Sequence, residues 1–291
     1  MMPTATAPPE GATNPPLPSP PPPTFPGAAP PPSPLTPPRR SWIWIAVVVA
    51  AVVIVVLAVL FVAGVFSSNA GTSSVPDGTP VPYSKAVAVA ISEGQVAVGG
   101  PWTVVVGLGI GVSSGLSEPL GPALTGNGCA YANPPGAPSS VVIPGTPSNA
   151  TPGEVASWVF LAKNVSGTVI LMMFVSDGTA SPVSYVTGCS GVASFSAESA
   201  INATNVVDST TIAASLDASG GSAFLANHTS ATKMFVILGA GSAFGGSAFW
   251  EASYSTCGFG AVGGSGAAFV AYYYASSGSI FNGPTSSQIT C

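Results

Sequence analysis

The stretch WIWIAVVVAAVVIVVLAVLFVAGVF, Trp42 to Phe66, runs for 25 positions without a charged side chain and follows Arg39, Arg40 and Ser41. As a helix rising 1.5 Å per residue it is about 37 Å long, enough to cross a hydrocarbon layer about 30 Å thick with some tilt. A soluble helix needs a polar face, and this one has none. In lipid a lone segment satisfies its backbone only as a helix, so the stretch reads as one transmembrane span in spite of its many β-branched residues. Trp42 and Trp44 place indole rings at one headgroup boundary. Arg39 and Arg40 hold that end in the cytoplasm, because the next basic residue is Lys85.

The fold class expected is a single-pass membrane protein, N-terminus cytoplasmic and C-terminus extracytoplasmic, with the lipid bilayer as partner through residues 42–66. A cleaved secretory signal has an apolar core of about 7 to 15 residues behind a short basic start. Here the core is longer and lies far from the start, so the span reads as a signal-anchor. Ala46 and Ala50 have small-xxx-small spacing, which gives the helix a weak self-association seam.

Residues 1–41 are dominated by proline, including Pro20 to Pro23 and Pro30 to Pro32. Proline fixes its own φ and donates no ladder bond, so this part reads as a disordered, polyproline-like cytoplasmic tail. Residues 67–82 are small, polar and punctuated by Pro and Gly, as in a stalk. Residues 83–291 are long enough to bury a core and form the expected extracytoplasmic domain.

Only 5% of the chain is charged, and the mean hydropathy is +0.54. Beyond the span three lysines face nine acids, a balance that excludes nucleic acid as a partner. Cys129, Cys189, Cys257 and Cys291 all fall outside the membrane, where thiols oxidise. Of three connectivities, the one that ties down the chain end is expected: Cys257–Cys291 with Cys129–Cys189. No C-x-x-C occurs and His228 is the single histidine, so neither a metal centre nor a cofactor is expected. Sequons begin at Asn149, Asn164, Asn202 and Asn227, which makes these four the N-glycosylation candidates.

Runs of β-branched and aromatic residues predict strands over 102–110, 155–161, 167–175, 233–238, 249–254 and 267–275. Helices are predicted over Ser84 to Gln95, with Ser84 as cap, and over Asp208 to Ser219, capped by Asp208 and stopped by Gly220-Gly221. The expectation is a β-rich α+β domain held by disulfides, in which each helix precedes strands as though two related halves followed one another.

Motifs of catalysis fail on context. Gly111 to Gly115 fits G-x-S-x-G around Ser113, but two prolines follow where a helix is required. Gly258 to Gly263 fits the dinucleotide fingerprint, yet a strand run follows and no acid lies downstream. Glu154, Asp177, Glu198 and Glu251 fall on different elements. Glu251 alternates onto one face with Phe249 and Ser253, which predicts a solvent-facing carboxylate. Tyr272 to Tyr274 suit core packing first and a sugar platform second. The function expected is that of a non-enzymatic, membrane-anchored surface protein whose outer domain binds a protein, glycan or envelope component. The alternatives are a structural envelope or pilus-associated subunit and a membrane-anchored, carboxylate-dependent hydrolase.

Overall fold

A computed structural model of the chain describes residues 75–119, 130–138, 140–187, 200–239, 247–257 and 264–291. The tail, the span with Arg39, Arg40, Trp42 and Trp44, Cys129, Cys189, Glu198 and Gly258 to Gly263 lie outside the described residues. Among the described residues no helix is long and apolar enough to cross a membrane.

The first helical segment comprises α1 (Tyr83–Val89), a π turn (Ala90–Gly94) and α2 (Gln95–Val98). Then come β1 (Trp102–Gly111), β2 (Leu116–Pro119), β3 (Ala130–Ala132), β4 (Ser140–Ile143), β5 (Ser157–Asn164), β6 (Val169–Ser176) and β7 (Thr179–Thr187). The second helical segment is α3 (Ser209–Leu216), a π turn (Asp217–Gly221) and α4 (Ser222–Asn227), followed by β8 (Thr232–Leu238), β9 (Phe249–Ser255), β10 (Ser265–Tyr274) and β11 (Ile280–Thr290).

Among the described residues nine strands form one open antiparallel sheet in the order β11-β10-β9-β8-β1-β5-β6-β7-β3, and β2 pairs with β4 in a separate ribbon. From the β1–β8 seam, β9, β10 and β11 run outward in chain order on one side and β5, β6 and β7 on the other, where the earlier strand β3 is added at the edge, so two arms extend from one central antiparallel pair. The apolar runs predicted as strands over 167–175 and 267–275 form β6 and β10.

Both helical segments cover the same face. Tyr83, Ala86, Val87 and Ala90 are buried there, as are Ser209, Ile212, Ala213 and Leu216. Each member of the second set stands the same distance along the chain, 126 residues, from its counterpart in the first. Gly109 and Phe235, directly paired between β1 and β8, are separated by that same interval. So are Val81 and Val207, whose carbonyl oxygens each accept an indole N–H at 3.0 Å, from Trp158 and Trp250. An approximate two-fold therefore relates the helix starts, the seam and the tryptophan anchors.

The helix-side core is aromatic, and β1 makes room for it by being bare. Gly107, Gly109 and Gly111 alternate along β1, and a Cβ on Gly109 would meet the Trp158 ring at 2.8 Å. Tyr83 fills the same space, edge-on to Trp158 and Trp250 with centroids 5.6 and 5.1 Å away. On the other face Leu108, Ile110, Val159, Leu161, Met172 and Val236 form a second cluster that includes Val141 and Ile143 of β4. With both faces apolar, the central strands read as continuous hydrophobic runs.

Three sequence expectations are corrected. The first helix starts at Tyr83, and Ser84 is not its own cap but a donor to Asp208. The second does not end at Gly220-Gly221: Gly220 adopts φ 118° and kinks the segment, which resumes as α4. Residues 75–82, expected in a stalk, run along the domain through bridges Val75–Gly115, Asp77–Gly145 and Val81–Val155.

Candidate functional site

Pairing of β1 with β8 sets Gly111 opposite Lys233 at the end of the seam. Because Gly111 has no side chain, Lys233 is left space beside the strand. Past Gly111 the chain turns through Ser113, and Thr146 N donates to Val112 O at 2.8 Å, which draws the 144–148 loop alongside. Gly78 N donates to Gly145 O at 2.9 Å and brings Asp77 to the same place. The end of α4 supplies Leu225, and the link to β8 supplies Thr229 and Ala231.

These segments enclose a cleft of about 450 Å³. Its polar lining is Asp77, Ser113, Thr146, Ser148, Thr229 and Lys233; Val112, Pro147, Leu225 and Ala231 form an apolar wall. The Thr146 oxygen accepts from Ala156 N at 3.1 Å and keeps its proton for another partner. Among the described residues the Lys233 ammonium has neither an ion pair nor a hydrogen bond. One cation, one carboxylate and four hydroxyls beside an apolar wall suit a small polyhydroxylated ligand. A shallower groove of about 600 Å³ lies by Trp102, whose ring stacks on Tyr185 with centroids 5.8 Å apart, but its lining has no charged group.

The G-x-S-x-G segment leads into β2, not a helix, so Ser113 is not on a nucleophile elbow. His228 ends α4 with its ring on Phe224, centroids 4.6 Å apart, while Asp208 is occupied at the helix starts. Ser113, His228 and Asp208 share no hydrogen bond. Among the described residues no three His, Cys, Asp or Glu side chains cluster as metal ligands do.

Glu251 reverses its expectation. It lies on the face with Phe249, but it is buried, 7% exposed, and paired across the ladder with Tyr272. Burial pushes its carboxyl up to about 7, and a hydrogen bond with the Tyr272 side chain partly opposes the rise. Burial likewise raises the Tyr272 phenol, with Glu251 adding to it. Asp177 sits in the β6–β7 turn and accepts Thr79 N at 2.9 Å. Glu154 lies in the turn before β5, far in the chain from both. The tyrosine run splits: Tyr273 is fully buried on the helix side, while Tyr272 and Tyr274 surround Phe281 on the other.

Cys257 and Cys291 form a disulfide. Of the sequon residues, Asn164 is tied at both ends of its amide, donating to Thr168 Oγ1 at 3.3 Å and accepting Val169 N at 3.1 Å. Asn227 donates to Ala223 O at 3.0 Å within the last turn of α4. Asn149 is exposed, and Asn202 is exposed with its carbonyl accepting the Thr204 hydroxyl at 2.8 Å. Lys233 and Thr229 are the residues that sequence reading missed; only the seam pairing, not any motif, joins them to Ser113. No family model, no curated protein and no solved structure matches the chain.

Proposed function

We propose that the chain is a non-enzymatic, membrane-anchored surface protein whose outer domain binds a saccharide in the cleft beside Lys233. The observation that carries this reading is the lining itself: four hydroxyls and a carboxylate to meet ring hydroxyls, an apolar wall for a ring face, and an unpaired ammonium. That unpaired ammonium favours sugars bearing a carboxylate or sulfate, since a charge-assisted hydrogen bond is about twice as strong as a neutral one. The anchor at residues 42–66 gives the cleft its setting, the outer face of a membrane, where envelope glycans are at hand. Use of the sequons belongs to the same reading.

Calorimetric titration of the full-length protein in nanodiscs with neutral and acidic oligosaccharides tests it. Saturable binding that prefers acidic sugars and weakens at least tenfold in Lys233→Ala is expected. Absence of saturable binding to every sugar, or binding untouched by Lys233→Ala and Ser113→Ala together, overturns the cleft as the site.

A further inference from the structure

β11 closes one end of the nine-stranded sheet, and among the described residues no strand lies beyond it. Thr285, Ser286, Ser287, Gln288 and Thr290 are exposed, and the strand carries no charge. Folded proteins ordinarily guard such an edge with lysine, proline, a bulge or a cover. Here Pro284 and the register shift near Tyr272 guard only the first half. From Val270↔Thr285 to Ser265↔Thr290 the ladder with β10 is unbroken.

Cys291 N donates to Gly264 O at 3.1 Å, which fixes the phase of that ladder. Antiparallel alternation then turns the backbone groups of Thr285, Ser287 and Ile289 toward β10. Those of Ser286, Gln288 and Thr290 point away from the sheet. Three successive outward residues of an uncharged strand form a self-complementary template.

We infer that this edge is the interface between two copies of the chain, paired β11 to β11 antiparallel about a two-fold axis at Gln288. Gln288 then faces the partner's Gln288, and Ser286 faces the partner's Thr290, so all three outward residues exchange backbone hydrogen bonds. An axis at Ser286 would instead bring Pro284, which has no N–H, opposite Gln288 and lose a bond. The chain already joins its own two arms this way, through the antiparallel β1–β8 seam about Gly109 and Phe235. The inference is independent of the cleft, which lies at that seam.

Self-opposition at position 288 makes a charge-swap test available, because like charges directly opposite destabilise a strand pair and opposite charges favour it. Sedimentation of the full-length protein in density-matched detergent is expected to show a monomer–dimer equilibrium. Gln288→Lys and Gln288→Glu should each raise its dissociation constant at least tenfold, and an equimolar mixture of the two should recover the dimer. Both substitutions fall on an exposed side chain, and unchanged thermal melting will show that the fold is intact. A monomeric wild type overturns the inference. So does a dimer indifferent to both charges, which would place association in the Ala46/Ala50 seam, and so does a mixture that fails to recover.

Discussion

Asp208 reaches across from its own helix to the start of the other: its Oδ2 accepts the Ser84 hydroxyl at 2.7 Å and its Oδ1 accepts Ser84 N at 3.1 Å. The same Oδ1 accepts Ser209 N at 2.8 Å. One carboxylate thus caps two helix N-termini that meet over the seam, where the positive ends of both helix dipoles favour a negative charge. Nearby, Tyr83 N donates to Ser209 Oγ at 2.9 Å, and Ser209 Oγ donates to Gly153 O at 2.8 Å.

Removing that carboxylate costs both caps. Asp208→Ala is expected to destabilise the domain by about 2 kcal/mol, roughly the sum of two ordinary cap losses. Asp208→Asn keeps one acceptor oxygen and should fall between. Urea unfolding of the three proteins checks this; a loss no larger in Ala than in Asn would show that the second helix does not depend on Asp208.

Tyr83 offers the opposite effect. Its ring is buried against two tryptophans, but among the described residues its hydroxyl has no hydrogen-bond partner. Burial, with Asp208 adding to it, pushes that phenol well above its ordinary range. A buried hydroxyl left unpaired costs about 1–3 kcal/mol, so Tyr83→Phe should stabilise the domain by about 1 kcal/mol. Tyr83→Ala empties the aromatic cluster and should cost about 3–5 kcal/mol. Thermal melts rank the three proteins, and a Phe variant less stable than wild type would reveal a partner for the hydroxyl.

Glu251 sets a pH dependence with a definite sign. In the unfolded chain its carboxyl titrates near 4.5, and in the fold near 7. The fold therefore holds the extra proton between those values, and stability is full below pH 4.5, falls as pH rises toward 7, and levels off above it. The whole loss amounts to about 3 kcal/mol at 1.36 kcal/mol per unit. Denaturant midpoints from pH 4 to 8 for wild type and Glu251→Gln provide the test. The difference between them should grow by that amount across the window, and parallel curves would sink the assignment.

How far the sequence could be read follows from what each strand touches. β1, β5, β6, β8, β9 and β10 lie inside the sheet, and their apolar runs announce them. β7 and β11 sit toward the edges, are rich in Ser and Thr, and contain Pro182 and Pro284, so no hydrophobic pattern marks them. Asp208 was legible as a cap because its signal is local; its hold on Ser84 was not, because that depends on the two-fold. Glu251 was misread for a related reason. Alternation assigns a residue to a face, but it does not say whether that face is covered, and here both are. The cleft was not legible, because no motif joins its lysine to its serine: Lys233 and Ser113 come to one place only once β1 and β8 have paired.

The Cys257–Cys291 disulfide closes the ladder at the end of β11, with a sequence separation of 34. Gly266 makes the room, since a Cβ there would lie 2.8 Å from the Cys257 sulfur and 2.9 Å from that of Cys291. A loop of this size constrains the unfolded chain by about 3–4 kcal/mol on the chain-entropy account. Cys257→Ser with Cys291→Ser should lower stability by up to about that amount. The loss should concentrate at the edge, because β11 is largely exposed and buries little to hold it in place. Hydrogen exchange reads this directly. Amides of Thr285, Ser287 and Ile289, bonded inward to β10, should lose protection in the double variant while those of β1 and β5 keep theirs. Equal loss across the whole sheet would mean that β11 unfolds only with the core and that the disulfide acts globally.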